Sequence, residues 1–433
     1  MKLLMIHVWN ADELAYRNTF SGLMAYPSLT LASIIPLVPE SAFSQIDIID
    51  EQTQRVNYDK EKYDIVMLSF DTASAVSAYR HAKAFRKRGA YIVGGGYHAT
   101  AMPEEAAKYC DTVISGPAER AVPAFFRDYL AGSPKPFYRD TNLRAADYPV
   151  PQRKKIPMHG KLRIPAVIAD RGCKNACKYC AMRTMWPSDP RPIKAVMEEI
   201  RSLHTKMLIF YDPNFFQNRD YAIRLMRALK PLHLLWACTA TADLGNDTEL
   251  LKIASDCGLR AVVIGLESMN VQSLKSVAKQ FPDADRYKAL VANIHKYGIA
   301  VNGCFVLGLD HDTEKDLRKL PDYIEYLGLD LCRFSILTPY PGTRLYKEME
   351  ESGRLLTKKW NLYDQQHTVF RPKNFTPEQL NRIYREVSRD AYSWKRIFRR
   401  LKSSPWRHKP YLLIQLGANI GFRYLGIDKR RTS

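Results

Sequence analysis

No window of this 433-residue chain offers the eighteen or so uninterrupted apolar residues of a bilayer-crossing helix, so a helical membrane span is not expected. The opening, MKLLMIHVWNADELAY, lacks the long apolar core of a secretory signal, and its short apolar run reads as a first strand. Acidic residues are in deficit, 45 against 65 Lys and Arg, a net charge of +20 that would draw phosphate or anionic surfaces. Cysteine is sparse. Of eight, Cys110, Cys238, Cys257, Cys304 and Cys332 stand singly in apolar segments and read as small buried hydrophobes. What remains is ordinary for a globular protein: 46% hydrophobic and 25% charged residues, with length for two or three cored domains.

The other three cysteines are grouped. Cys173, Cys177 and Cys180 lie in RGCKNACKYC, a CxxxCxxC spacing just after the apolar run IPAVIAD. Thiolates are the soft ligands that iron–sulfur clusters require, and such spacings let one loop wrap a cluster at little ordering cost. Three cysteines leave one iron of a four-iron cluster open to a small molecule, whereas a structural zinc site closes its fourth position. A zinc knuckle with a distant fourth ligand is the competing reading, but no paired CxxC or HxxxH stands nearby to complete it.

This stretch resembles the cluster loop of the radical S-adenosylmethionine (SAM) superfamily, in which an aromatic residue precedes the last cysteine, a place filled here by Tyr179. The resemblance implies a [4Fe-4S] cluster held by Cys173, Cys177 and Cys180, with SAM chelating the open iron through its amino and carboxylate groups. It further implies reductive cleavage of SAM to methionine and a 5′-deoxyadenosyl radical, with a reducing partner such as flavodoxin or ferredoxin. An oxygen-sensitive cluster and the lack of an export signal point to a reducing, cytoplasmic setting.

Residues 1–133 alternate β-rich runs (KLLMIHV, IDIID, DIVMLSF, AYIVGGG, DTVISG) with helical patterns such as ASAVSAYRHAKAFRKRG, which closes on Gly89. This predicts an α/β fold with a doubly wound parallel sheet that binds ligands at the carboxyl ends of its strands. Two of those ends stand out, Ser69-Phe70-Asp71-Thr72 and Gly94-Gly95-Gly96-Tyr97-His98. Glycines let backbone approach a ligand closely and hydroxyls can donate to it, although glycine-rich strand ends are also common as plain turns. Together with PSLTLASIIPLVPE, GGGYHATAMPEEA and SGPAE, these segments resemble the cobalamin-binding domain that precedes the catalytic domain in one class of radical SAM enzymes. The resemblance implies cobalamin beside Ser69, Thr72, Gly94, Gly95, Gly96 and His98. The DxHxxG motif whose histidine ligates cobalt in other cobalamin proteins is absent, so the lower cobalt ligand is unassigned; His98 reads better as a hydrogen-bonded loop residue. Gly116-Pro117-Ala118-Glu119 stands where that class carries GE-x-E, so one glutamate contact is lost.

A proline-rich, basic connector is expected over 134–160, then a second domain over 161–350. IPAVIAD, MLIFYD, LLWACTA, AVVIGLE, AVNGCFVLG and LCRFSIL are its strand candidates, which with the helical patterns between them predict a partial (βα)6 barrel. Chemistry in such a barrel gathers at the carboxyl ends of strands, which here carry Asp212, Asn214, Thr239, Glu267, Ser268, Gly308, Asp310 and Tyr340. IGLESMN, FVLGLDHDT and LTPYPGTRLY extend the resemblance to about residue 375, and it implies that Glu267 lies near the SAM ribose and amino acid and Tyr179 near the adenine.

Residues 351–433 are expected to be a helical, basic tail. Thr376-Pro377-Glu378-Gln379 is a strong helix start, with Leu380, Ile383, Tyr384 and Val387 on one face. From Ala391 onward there are 11 Lys or Arg against one Asp, interleaved with aromatics. The apolar segment YLLIQLGANIGFRYLGI, broken by Gln415, Asn419 and Arg423, suits either peripheral contact with the inner face of a membrane or closure of the open barrel. The resemblance implies methylation of an unactivated carbon of a small or lipid-like substrate, or alternatively a radical oxidative cyclisation or rearrangement. RNA modification is the third reading; radical SAM enzymes that add methylthio groups to transfer RNA carry further N-terminal cluster cysteines and a small β-rich end domain. Cys110 alone and a helical tail depart from that pattern, so nucleic acid is not the expected partner.

Overall fold

The computed structural model describes residues 1–10, 28–140, 144–156, 164–182, 188–279 and 286–428. Parts of the expected connector (141–143 and 157–160) and the last five residues of the basic tail lie outside them.

Strands β1 (Lys2–His7), β2 (Gln45–Asp50), β3 (Ile65–Ser69), β4 (Tyr91–Gly95), β5 (Thr112–Ser115) and β6 (Phe137–Arg139) form one parallel sheet in the order β2-β1-β3-β4-β5-β6. Side chains alternate between two cores. Leu4 and Ile6 join Val66, Leu68 and Ile92 on one face, while Leu3 and Met5 join Ile65, Met67 and Val93 on the other. Both faces are thus covered, as a parallel sheet requires. Five strands are the runs read from sequence. β6 lies in the stretch taken for a connector, because three residues are too short to show a period; its pairing with β5 is a tertiary matter. The strand order reverses direction between β1 and β3, whose last residues His7 and Ser69 are register partners. That is the switch point at which an open α/β sheet opens a crevice.

β7 (Ala166–Val167) begins the second sheet. After a short antiparallel pair, β8 (Asp170–Arg171) with β9 (Asp189–Pro190), it continues through β10 (Met207–Phe210), β11 (Leu235–Ala240), β12 (Leu259–Glu267), β13 (Ala300–Leu307) and β14 (Leu331–Ile336). The six parallel strands stand in sequential order, β7 and β14 at the edges, so the barrel is open as expected.

The expectation of a helical region from 351 needs correction over its first part. Leu355 bridges to Phe370 in antiparallel fashion, and between them Trp360, Tyr363 and Val369 are buried in the core of the first sheet. The Trp360 indole N–H donates to Glu105 at 2.7 Å and the Tyr97 hydroxyl to the Pro341 carbonyl at 2.6 Å. The strap, together with the Tyr97–Pro341 bond, fastens the two sheets with their carboxyl ends facing one shared space. Its apolar residues lack any period because their partners come from a different domain.

Helix Pro377–Ala391 starts on the expected capping box, Thr376 with Gln379, and buries Leu380, Ile383, Tyr384 and Val387 against the barrel. In helix Leu412–Asp428 the polar residues that break the apolar run are the ones that dock it. Gln415 and Asn419 are buried and donate to the Asp330 carbonyl just before β14, Asn419 also accepts from Arg400, and Arg423 donates to the Tyr392 carbonyl. Asn419→Leu would strip a buried guanidinium of one partner, at an expected cost of about 1–3 kcal/mol. The denaturant midpoint should fall accordingly, and an unchanged midpoint would contradict this docking.

Candidate functional site

Between the carboxyl ends of the two sheets lies a cavity of about 950 Å³, at the upper end of common ligand sites. From the first sheet it is walled by His7, Ser69, Thr72, Gly95 and Gly96, and from the barrel by Ile168, Arg171, Met182, Tyr211, Tyr340 and Gln365. Most of its lining is apolar. Arg171 of β8 crosses to Glu119 of the first domain at 2.7 Å, and its guanidinium lies over the Tyr148 ring, 4.1 Å from the centroid. The other carboxylate oxygen of Glu119 is buried at this wall with no hydrogen-bond partner among the described residues. A buried acceptor without a donor is costly unless a ligand supplies one. The amide groups around a corrin ring are such donors, so the cavity fits cobalamin in size, lining and this waiting acceptor.

The glycine-rich strand end divides. Gly95 lines the cavity, and a β-carbon there would meet only Ile114, at 3.7 Å or more. Gly96 has φ +101°, a conformation that favours glycine, and a β-carbon there would press on the Phe70 backbone. Gly94 turns the other way, against the Cys110 sulfur. His98 is fully buried, with Nδ1 3.3 Å from the Thr72 hydroxyl, Nε2 3.4 Å from Glu105, and its ring edge-on to Trp360. The inclusion of Gly94 and His98 among cofactor-contacting residues is therefore corrected: the strand's alternation and the strap turn both into the core. Ser69, Thr72, Gly95 and Gly96 remain at the wall.

The cluster loop follows β8. Cys173, Cys177 and Cys180 are free and half-buried, while the scattered cysteines are buried apart from the half-buried Cys304. The Lys178 amide donates to the Val277 carbonyl at 3.1 Å and the Cys180 amide to the Cys177 carbonyl at 3.3 Å, so the loop is fixed locally and against the segment after helix Val271–Ser276. Burial raises the pKa of the Cys173 and Cys177 thiols; Lys279 pulls Cys177 back and neighbouring thiols push both up. Among the described residues no three His, Cys, Asp or Glu side chains close on a single ion. The fit to a cluster rests on donor chemistry: three free thiols of one loop that feel one another's charge.

Glu267, at the end of β12, is held in the left-handed region at φ +66° after a register shift in its pairing with β13. Such a conformation costs a residue with a side chain about 1–3 kcal/mol. The carboxylate accepts from Lys279 at 2.9 Å and from the Tyr179 hydroxyl. Burial opposes the charge on Lys279, but Glu267 and the cluster thiols outweigh it and keep its pKa above the ordinary value. Burial also raises Tyr179 far above a normal phenol, with Glu267 and the thiols adding to it. The two residues assigned to different parts of SAM thus touch each other beside the cysteines. Lys279, which sequence reasoning missed, sits in no motif; only folding brings it to Glu267.

Other strand-end candidates serve the scaffold. Asp212 lies beneath the loop, accepts the Ala169 and Asp170 amides at 2.8 and 3.1 Å, and is raised by burial to about 8. Asn214 donates to Thr241, and Asp310 pairs with Arg354. Tyr340 does reach the cavity, accepting from Gln365, whose own φ is +65°.

Comparison with known proteins agrees with this architecture. The radical SAM superfamily model matches residues 167–324, and the B12 binding domain model residues 43–126. The chain thus joins a B12-binding domain to a radical SAM domain, and its cofactors are cobalamin, SAM and a [4Fe-4S] cluster. It is an enzyme of the cobalamin-dependent radical SAM class. Among its relatives is the bacteriochlorophyllide d C-12(1)-methyltransferase of Chlorobaculum tepidum, 28% identical over 399 residues that span 89% of this chain and 86% of that one. Another is the anaerobic magnesium-protoporphyrin IX monomethyl ester cyclase of Cereibacter sphaeroides, 23% identical over 88% of this chain and 69% of that protein. The radical SAM methyltransferase TsrM from Kitasatospora setae, solved with cobalamin and a [4Fe-4S] cluster bound, shares the fold: TM-score 0.61, 16% identity, 81% of this chain and 78% of that one.

Proposed function

We propose that this enzyme methylates an unactivated carbon of a largely apolar, lipid-like substrate, with electrons from a flavodoxin- or ferredoxin-like donor. The observation that carries the reading is a largely apolar cavity onto which both the glycine-rich sheet end and Met182, two residues past the last cluster cysteine, open. When bound, the cluster with SAM supplies hydrogen-atom abstraction, and cobalamin a transferable methyl group. Cys173, Cys177 and Cys180 would hold the cluster, Glu267 with Lys279 the ribose and amino acid of SAM, and Tyr179 would lie toward its adenine. Ser69, Thr72, Gly95, Gly96 and Glu119 would hold cobalamin. The remaining work of the chain is positioning and exclusion of water, for which a cavity walled by two domains is suited. A methyltransferase relative aligned over most of the chain supports methyl transfer; the cyclase relative supports cyclisation as the second reading. SAM with a deuterated methyl group separates them. Label should appear in a product in which a CD₃ group has replaced a hydrogen, and an unlabelled product would favour cyclisation or rearrangement.

The same proposal places the enzyme at an anionic membrane surface. No helix among the described residues is long and apolar enough to cross a bilayer. The tail does close the barrel edge, yet Trp394, Phe398, Leu413, Ile414 and Tyr424 stay exposed beside exposed Lys395, Arg399 and Lys402. Each Lys or Arg at such a surface contributes about 1 kcal/mol. Truncating the tail would remove Gln415 and Asn419 and disturb the fold, so surface substitution is the cleaner probe. Wild-type protein should float with anionic but not neutral liposomes at low salt, and Phe398→Ser with Leu413→Ser should not. Equal flotation of both proteins, or none by the wild type, would remove the membrane role.

A further inference from the structure

We infer that His7 is the lower axial ligand of cobalt in the cavity between the domains, an inference that rests on the cobalamin reading of that cavity. His7 ends β1 at the switch point of the first sheet, with Asp50 of β2 and Ser69 of β3 as its register partners on either side. Its ring lines the cavity from the first-domain side, opposite the wall formed by the barrel. Nδ1 lies 3.2 Å from Asp50 Oδ1.

Asp50 is 1% exposed and fixed from two further directions, accepting the Ser28 amide at 3.1 Å and the Gln52 amide at 3.0 Å. A carboxylate can only accept, so Nδ1 is the nitrogen that donates to Asp50; Nε2 has no hydrogen-bond partner among the described residues and is the nitrogen available to a metal in the neutral imidazole. A buried carboxylate orienting a histidine whose other nitrogen faces a metal is the arrangement that fixes tautomer and raises ligand basicity in metal sites. His98, the other histidine at these strand ends, has both nitrogens engaged in the core. The position is also consistent with direction: His7 lies on the first-domain side of the cavity, while Ala181 and Met182, just after the cluster cysteines, line it from the barrel side. The absent DxHxxG motif is thus replaced by a histidine and an aspartate from adjacent parallel strands, 43 residues apart.

The test uses full-length protein grown with ¹⁵N-histidine, loaded with unlabelled hydroxocobalamin and reduced to the cobalt(II) state. Electron paramagnetic resonance should show each resolved cobalt line split into a doublet by ¹⁵N of the protein. Triplets would mean that the cofactor's own base is the ligand, and unsplit lines that no nitrogen is; either result overturns the inference while the cobalamin site stands. Failure to bind any cobalamin would overturn the site and the inference together. In His7→Ala the doublet should vanish with cobalamin still bound, and Asp50→Asn should change the spectrum without removing the nitrogen. Persistence of the doublet in His7→Ala would assign it to another histidine.

Discussion

Alanine at Cys173, Cys177 or Cys180 is expected to reduce both the iron content and reductive cleavage of SAM to background, with each of the three variants equally affected. The loop offers no substitute: the other five cysteines lie in the interior of the two domains, and four of them are fully buried. Loss of one thiolate removes a direct ligand, and a cluster with two protein ligands is not retained. The fold should survive, because the loop is tied by backbone bonds, Lys178 to Val277 and Cys180 to Cys177, which the substitutions leave alone. Iron assay, anaerobic absorption spectra and 5′-deoxyadenosine analysis read the outcome. Near wild-type iron and 5′-deoxyadenosine in all three variants would show that the cluster lies elsewhere.

The second large effect is expected from Gly95→Phe. Three consecutive glycines look equivalent in the sequence but are not so in the structure. A side chain at Gly94 would collide with the Cys110 sulfur at 2.6 Å, and at Gly96 with the Phe70 carbonyl at 2.5 Å, so either change disturbs the sheet. At Gly95 the nearest neighbours are at ordinary contact distance and the free direction is the cavity. The variant should therefore fold, keep its cluster spectrum and lose cobalamin affinity by at least about tenfold, equivalent to about 1.4 kcal/mol. Cobalamin occupancy equal to wild type would move the cofactor away from this wall.

Most of the architecture was written in local pattern. Apolar runs of strand length, bounded by helical periods, marked five of the six strands of the first sheet and all six of the second. Strand order within the barrel follows because each strand–helix unit returns beside the last. The cluster loop was legible for the same reason: its ligands are neighbours in sequence, so spacing alone carries the chemistry. The docking residues of Pro377–Ala391 were legible through a capping box and a four-residue stripe.

What the sequence by itself determined was therefore the class of each domain, the cluster-bearing loop and the three cofactors that such a pairing of domains implies. Tertiary structure decided the rest, because those features depend on partners tens to hundreds of residues away. Strand pleat decided which of three glycines meets the cavity. The strap at 355–370 decided that His98 is core and that the two sheets share one space. The left-handed turn at Glu267 brought Lys279 and Tyr179 together beside the cysteines. The parallel register of β1 with β2 set Asp50 behind His7, a pairing of residues 43 apart that no local motif records.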